Sequence, residues 1–369
     1  EPCGPRCRLR PLPGMRSLSP SFATAAIVIF QPEFSPPDLS AHVVVRRLAA
    51  SGAAACLLYG IAAAQQIAFT LDRIEGPSFV ATKVSGVLRA AGAAEIQIGE
   101  VDIAGNRWRN VRIRCPELRQ ERDEVVCTEG VLEAPARIPL AFRYSTRTKN
   151  LDLALKPAAG EAWRLTVESQ ASSRTVTLAL SNVPVARLAA WWPAAWPKPN
   201  AGGISGKLVY GGAESSRLSV QMLLSDFGFA DDSGLYAGEK IAAGLSLEAQ
   251  QRGELWNWQG RVEWKSGDVF WQPLFASGSG QSLNAAGELD SSRIAFEHGR
   301  LAVPGVGNID FAATYDRASA QLAAASVKSV DIEVAGLYEA VLKPMLQGSV
   351  LGDLRSDGRA DIALDIKNG

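Results

Sequence analysis

The chain of 369 residues contains only two histidines, His42 and His298. Histidine titrates near neutral pH and is the commonest metal ligand, so its scarcity argues against His-based catalysis and a His-ligated metal site. Lysine plus arginine number 38, and so do aspartate plus glutamate, which gives a formal net charge of zero. A neutral chain gives no electrostatic reason to expect nucleic-acid binding, which usually needs a basic face, so no nucleic-acid partner is expected.

Sequence motifs that carry catalytic or metal chemistry are also missing. The stretch GGISGKL at 202–208 departs from the phosphate-loop pattern at both ends. The stretch SDFGFADDSG at 225–234 lacks the alternate-position ligands and the closing glutamate of a calcium loop. We therefore predict a protein that is not an enzyme, with no catalytic residues, no cofactor and no metal site.

Alternation of apolar and polar residues is the dominant pattern that the chain does contain. In WNWQGRVEWKSGDVFWQPLF (256–275), one phase is polar and the other carries four large apolar side chains: Trp256, Trp258, Val262 and Trp264. A period of two is typical of a strand with one wet and one dry face. The KSGD tetrapeptide at 265–268 predicts a turn, with a second strand starting at Val269.

The same alternation recurs from residue 76 to the end of the chain, in short runs bounded by glycine, serine, aspartate or asparagine. This pattern predicts an all-β fold: an elongated antiparallel, groove-like curved sheet with a few short helices, preceded by a transmembrane helix. An ordinary closed barrel is the alternative. The short helices are predicted within 183–193 and 336–348, where similar strand–helix–proline–strand segments indicate an internal repeat of roughly 150 residues. The uncapped strand at 359–366 suggests a truncated C-terminus.

The N-terminal part of the chain divides into a leader and an apolar segment. We predict that residues 1–45, which are rich in proline, are disordered or spurious. The segment 46–72 begins with Arg46 and Arg47 and carries no charge from there up to Asp72. Its length and flanking charges predict a transmembrane anchor with the N-terminus inside, which places residues 73–369 in a bacterial periplasm. A signal peptide cleaved after Ala62-Ala63-Ala64 and a buried helix are the alternatives.

Of the five cysteines, Cys115 and Cys127 share the phase of the apolar residues around them. The polar stretch between them is interpreted as a hairpin tip, so two strands of one hairpin could bring the two sulfurs together. Two buried free thiols are the alternative. An oxidising compartment such as the periplasm favours the disulfide.

Three stretches carry a family resemblance: the glycine-punctuated strands of 71–115, which close in VDIAGNRWRNVRI, and the segments SNVPVARLAAWWP (181–193) and VDIEVAGLYEAVLKPMLQGSVLGDL (330–354). They resemble the AsmA-like superfamily, which includes the TamB and YdbH types of bacterial envelope protein. The resemblance covers roughly 45–369. It implies a long curved sheet with an apolar inner face, and phospholipid transport between the inner and outer membranes. The partners implied are phospholipid acyl chains, the inner membrane, and outer-membrane or other envelope proteins. The N component of type II secretion systems is the nearest competitor.

The apolar phase itself admits three interpretations. It lines a lipid groove, it is ordinary core packed by a second sheet in a structural or assembly factor, or its tryptophans stack on the sugars of a polysaccharide. Our hypothesis is that Trp256, Trp258, Val262 and Trp264 lie on the concave side and line a lipid groove. The localisation that follows is the bacterial inner membrane, with a single pass and the bulk of the chain in the periplasm.

Overall fold

The computed structural model describes residues 66–367, with short gaps at 77–78, 90–91, 104, 135, 171, 193–195, 214, 273, 320, 340–342, 347–351 and 353. These residues form one long, curved antiparallel sheet, which confirms the predicted all-β class. Its strands are β1 Gln66–Gly76, β2 Phe79–Arg89, β3 Ala94–Ile103, β4 Asn106–Cys115, β5 Leu118–Glu121, β6 Glu124–Ala134, β7 Ala136–Ser145, β8 Leu151–Leu155, β9 Ala162–Ser169, β10 Arg174–Pro184, β11 Lys198–Gly212, β12 Arg217–Ala230, β13 Tyr236–Arg252, β14 Leu255–Trp271, β15 Leu274–Ser277, β16 Gln281–Leu289, β17 Arg293–Val303, β18 Gly307–Asp316, β19 Gln321–Glu333 and β20 Arg359–Lys367.

The sheet is a meander in which strands pair with their neighbours in chain order. Two short strands are side branches: β5 pairs with β6 while β4 also reaches β6, and β15 pairs with β14 while β14 also pairs with β16. Within the described ranges no pairing joins β1 to β20, so this sheet is open and the closed-barrel alternative does not apply to it.

The N-terminal strand overlaps the predicted membrane anchor. Residues 66–72 belong to β1, where Ile67, Phe69 and Leu71 pair with residues of β2. The part of the predicted anchor that the structure describes, residues 66–72, is therefore strand, because pairing with β2 takes up these apolar residues. Residues 46–65 of the predicted anchor, and the leader 1–45, lie outside the described residues. Among the helices of the described part of the chain, none is long and apolar enough to cross a membrane.

The predicted turn at 265–268 is a bulge inside one long strand. Strand β14 continues without a break to Trp271, and Gly267 is left between the pairs that Ser266 and Asp268 make with β13. Its φ of 98° lies in the left-handed region that glycine tolerates, and an added Cβ would lie 2.5 Å from the Cα of Ile241. The turn prediction was wrong because a bulge requires the same glycine conformation as a turn.

Bulges recur at the same level of five consecutive strands, β10 to β14. Each is marked by a residue with positive φ: Asn182, Gly202, Asp226, Lys240 and Gly267. A bulge bends its strand and increases the local twist, so a row of them bends the sheet. The local hydrophobic core lies at this bend and consists of Val185, Ile204, Phe227 and Ile241.

A short 3-10 helix, Val185–Trp191, packs on this core. Val185 is completely buried, and the helix is tied to the residue that precedes β9 by an ion pair between Arg187 Nε and Glu161 Oε2 at 2.7 Å. The buried Glu161 carboxylate also accepts a hydrogen bond from Trp163 Nε1 at 2.9 Å. A buried carboxylate is tolerated when it is paired in this way, so these contacts fix the helix against the sheet.

The second predicted helical segment has the same local structure as the first. Asp331 has positive φ as Asn182 does, and Ile332 is as fully buried as Val183. Two four-residue helices follow, α1 Val334–Leu337 and α2 Lys343–Leu346, and the chain then enters β20, which pairs back onto β19. A similar order of bulge, buried residue, helix and returning strand occurs at β10–β11.

Cys115 at the end of β4 and Cys127 in β6 are joined by a disulfide, with their Cα atoms 6.1 Å apart. Both residues are buried. The register differs from the simple hairpin of the sequence-based interpretation, because on the side away from β7 Cys127 pairs with Leu118 of the short β5 and not with β4. The bridge therefore ties the end of β4 to β6 around the β5 branch.

Removal of this bridge is expected to lower the free energy of unfolding. For a sequence separation of 12 residues, the loss in a double variant with Cys115→Ala and Cys127→Ala should be about 3 kcal/mol. Urea denaturation of the full chain measures it. Thiol labelling of the denatured, non-reduced chain should leave two of the five cysteines unlabelled, and labelling of all five would contradict the bridge.

A second stability effect is expected at the turn between β16 and β17. Asp290 Oδ1 accepts hydrogen bonds from the Ser292 hydroxyl and from the backbone N–H groups of Ser292 and Arg293, all at 2.7–2.8 Å. These bonds, that of the Ser292 hydroxyl foremost, lower the pKa of Asp290 from 3.8 to about 2.

Because the folded state holds the Asp290 carboxylate ionised, its contribution to stability is complete above pH 3.8 and is lost as the pH falls through about 2. Wild type should therefore exceed Asp290→Asn in free energy of unfolding at neutral pH, and this difference should shrink towards pH 2. Chemical denaturation at a series of pH values measures it, and a difference that does not change with pH would count against the assignment.

Candidate functional site: the apolar face of the sheet

The strand register places the apolar phases of successive strands on one face. Directly paired residues project to the same side of an antiparallel sheet. A single row of such pairs runs from β6 to β20 and contains no polar side chain apart from the disulfide-bonded cysteine: Cys127, Phe142, Leu153, Leu165, Leu178, Leu208, Val220, Leu247, Gly260, Ala285, Gly299, Phe311, Val327 and Leu364. We call it the central row.

Two further rows flank the central row. The Trp258 row consists of Tyr144, Leu151, Val167, Val176, Tyr210, Leu218, Ala249, Trp258, Gly287, Phe296, Ala313, Ala325 and Ile366. The Val262 row consists of Leu140, Leu155, Trp163, Leu180, Gly206, Met222, Leu245, Val262, Leu283, Leu301 and Ile309. The three rows together define the apolar face.

Most of the apolar face is half-buried rather than buried, because it belongs to a single layer. The larger inter-element contacts join paired strands or place short helices on the sheet, and no second sheet lies over this face within the described residues. Large apolar side chains on or beside the three rows therefore stay accessible to solvent. Leu245, Leu322 and Leu364 are 37%, 39% and 52% exposed. An extended apolar surface of this kind is unusual unless it meets a partner, a membrane or a ligand.

The four residues predicted to line a site share this face but differ in surroundings. Trp264 packs against the local core at the bend and donates a hydrogen bond from Nε1 to the Ser266 carbonyl at 2.9 Å. Val262 lies between Leu245 and Leu283 of the neighbouring strands. Trp264 is thus part of the bend, whereas Val262 lies in the open part of the face.

Trp258 packs edge-to-face on Phe296, with the ring centroids 5.0 Å apart. These rings belong to β14 and β17, and they meet over Gly287 of the intervening strand β16. The indole Nε1 of Trp258 is enclosed and meets no hydrogen-bond acceptor among the residues that the structure describes. Trp256, at the end of the same phase, pairs with Gln251 and Leu289 and is half-buried.

Several residues of the apolar face were missed by sequence reasoning. Phe296 is the clearest, and its ring lies 6.3 Å from that of Phe311, which the alternation of 309–315 had already placed in an apolar phase. The bulge between Phe296 and Gly299 shifts the alternation of β17 by one residue. The sequence pattern alone therefore does not place Phe296 on the same face as the apolar residues after the bulge. Phe227 was hidden in the same way by the bulge at Asp226.

The opposite, polar face carries cross-strand ion pairs and open depressions. Hydrogen bonds from the Arg164 guanidinium hold the pKa of Asp152 below its usual value, and Arg300 does the same to the pKa of Asp310. Exposed pairs of this kind contribute little to stability. Two open depressions of about 960 and 1030 Å³ lie mainly on this face, and the walls of both include Glu248 and Gln259.

The described residues thus define a class: a single-layer antiparallel β-sheet protein with one continuous apolar face and one charged face. No group of three or more His, Cys, Asp or Glu side chains in this part of the chain is arranged to hold a metal ion. Comparison with protein-family models, curated proteins and solved structures finds no match for the chain. The AsmA-like resemblance therefore rests on the sequence stretches alone and stays a prediction.

Proposed function

We propose that the protein is anchored in the inner membrane and carries phospholipid acyl chains between membranes along a groove formed by the apolar face. The observation that supports this most directly is the central row, which stays apolar from β6 to β20. A route for an acyl chain requires such continuity, because one unpaired polar group would add a desolvation cost along the path.

The energetics of the apolar face suit a carrier. Burial of apolar area is worth about 25 cal/mol per Å², so an acyl chain is held without specific polar contacts. The rows repeat similar side chains from strand to strand. An acyl chain that moves across the sheet therefore meets similar environments along its path. The lipid headgroup would remain in water at the open side of the single layer.

The first test is lipid content. The full chain, extracted in mild detergent, is expected to retain phospholipid in native mass spectrometry. If the extracted protein carries no lipid and binds none from phosphatidylethanolamine vesicles, the proposal is contradicted. That result would favour a structural role, such as that of a secretion-system assembly component, in which the face is covered by another protein. Retention of an oligosaccharide instead would favour the polysaccharide-binding alternative.

The proposed anchor lies before β1. Residues 48–65 are uncharged and follow Arg46 and Arg47, and 18 residues lie within the range that spans a bilayer as a helix. A reporter that is active only in the periplasm, fused after residue 150, is expected to be active. If a reporter that works only in the cytoplasm is active when it is fused after residue 150, this orientation is rejected.

A further inference from the structure

Gly260 occupies the middle of the central row without a structural reason to be glycine. It lies within the 17-residue strand β14, and its φ is outside the left-handed region. A Cβ built on Gly260 would meet nothing closer than 3.5 Å, which is an ordinary contact with Leu247 Cδ1 and the Ser246 carbonyl. A side chain would therefore fit, although glycine weakens a strand relative to alanine.

The other glycines of the three rows differ from Gly260 in this respect. A Cβ at Gly206 or Gly287 would lie within 2.3 Å of a backbone oxygen, and one at Gly299 would overlap the ring of Phe311. Those three positions require glycine because other atoms already fill the space. At Gly260 the space above the backbone is open, and the paired residue on β16 is Ala285, which is also small.

A hydrogen-bond donor without an acceptor in the described part of the chain lies two residues from Gly260 along β14. Trp258 is two residues before Gly260 on the same face, and its indole Nε1 has no acceptor among the described residues. A buried donor without an acceptor is destabilising, so such groups indicate a missing partner. Packing on Phe296 positions the ring beside Gly260 on the apolar face.

We propose that Gly260 and Ala285 form a notch in the apolar face that seats an acyl chain of an ester-linked phospholipid, and that side-chain size at position 260 determines whether the chain fits. Trp258 Nε1 donates to the ester carbonyl of the seated lipid. This inference rests on the proposed function and specifies where on the apolar face the lipid is held. Glycine at 260 leaves to the lipid the volume that a side chain would fill.

The test compares Gly260→Leu with Gly244→Leu. Gly244 lies on the neighbouring strand β13 but on the polar face, and its Cβ would also meet nothing closer than 3.6 Å, so it is a matched control. Full-length variants are freed of lipid in detergent and titrated with dipalmitoyl phosphatidylethanolamine in native mass spectrometry. Loss of contact with about two methylene groups predicts binding about tenfold weaker for Gly260→Leu and unchanged for Gly244→Leu.

The outcomes separate this inference from the function on which it rests. If wild type binds lipid and both leucine variants bind equally well, the notch is wrong and the carrier function stands. If wild type itself binds no lipid, the carrier function fails. Should Gly260→Leu not fold, Gly260→Ala replaces it. This variant should melt about 2 °C higher than wild type, because alanine restricts the unfolded chain, while binding lipid more weakly. Higher stability with unchanged binding would overturn the notch.

Discussion

Val262→Glu is expected to weaken lipid association at least about tenfold while the sheet stays folded. Val262 is half-buried between Leu245 and Leu283, at a point where the apolar face is a single layer. In the lipid-free protein the glutamate side chain can reach water from the open side, so the fold survives. In the lipid-bound protein the same carboxylate would be desolvated against acyl chains without a partner. Photocrosslinking to lipid from a neighbouring position measures the loss.

The control for Val262→Glu is Ser246→Glu, which adds the same charge to the other face. Ser246 is exposed on β13 and pairs directly with Arg261 of β14, so a glutamate there gains a favourable neighbour. This variant should bind lipid as wild type does. If Val262→Glu unfolds the protein outright while Ser246→Glu does not, the apolar face is ordinary core and the groove proposal is wrong.

Phe227→Ala is expected to lower the free energy of unfolding by about 3–5 kcal/mol, which is the usual cost of emptying a buried aromatic site. Phe227 is buried at the row of bulges, where its ring packs near those of Trp192 and Phe229 at centroid distances of 6.2 and 6.0 Å. Truncation leaves a cavity between the sheet and the 3-10 helix. Because the ion pair of Arg187 with Glu161 still holds that helix, the cavity cannot collapse completely.

Leu223→Ala provides the comparison on the same strand. Leu223 is 58% exposed on the opposite side of β12 from the apolar face, so its truncation removes little contact and should cost less than about 1 kcal/mol. Urea denaturation of the two full-length variants measures both values. Similar losses for Phe227→Ala and Leu223→Ala would show that the bend contains no local core, contrary to the packing described above.

Local chemistry determined the fold class. Alternation with period two reports which face of a strand is dry, and this is a property of each short segment alone. It therefore identified the strand that carries Trp258 and Val262, the terminal strand β20, and the positions near which the two helical segments occur. The pairing of Cys115 with Cys127 was also visible, since both cysteines share the apolar phase, although the β5 branch between them was not.

The tertiary structure alone decided how these segments combine. A bulge shifts the alternation by one residue, and whether glycine or aspartate forms a bulge or a turn depends on the neighbouring strand. Gly267 was therefore misassigned as part of a turn, and Phe227 and Phe296 were missed. The central row is likewise invisible along the chain, because it consists of one residue from each of many strands. Register, which is set by pairing between distant segments, is the physical quantity that aligns those residues into a single face.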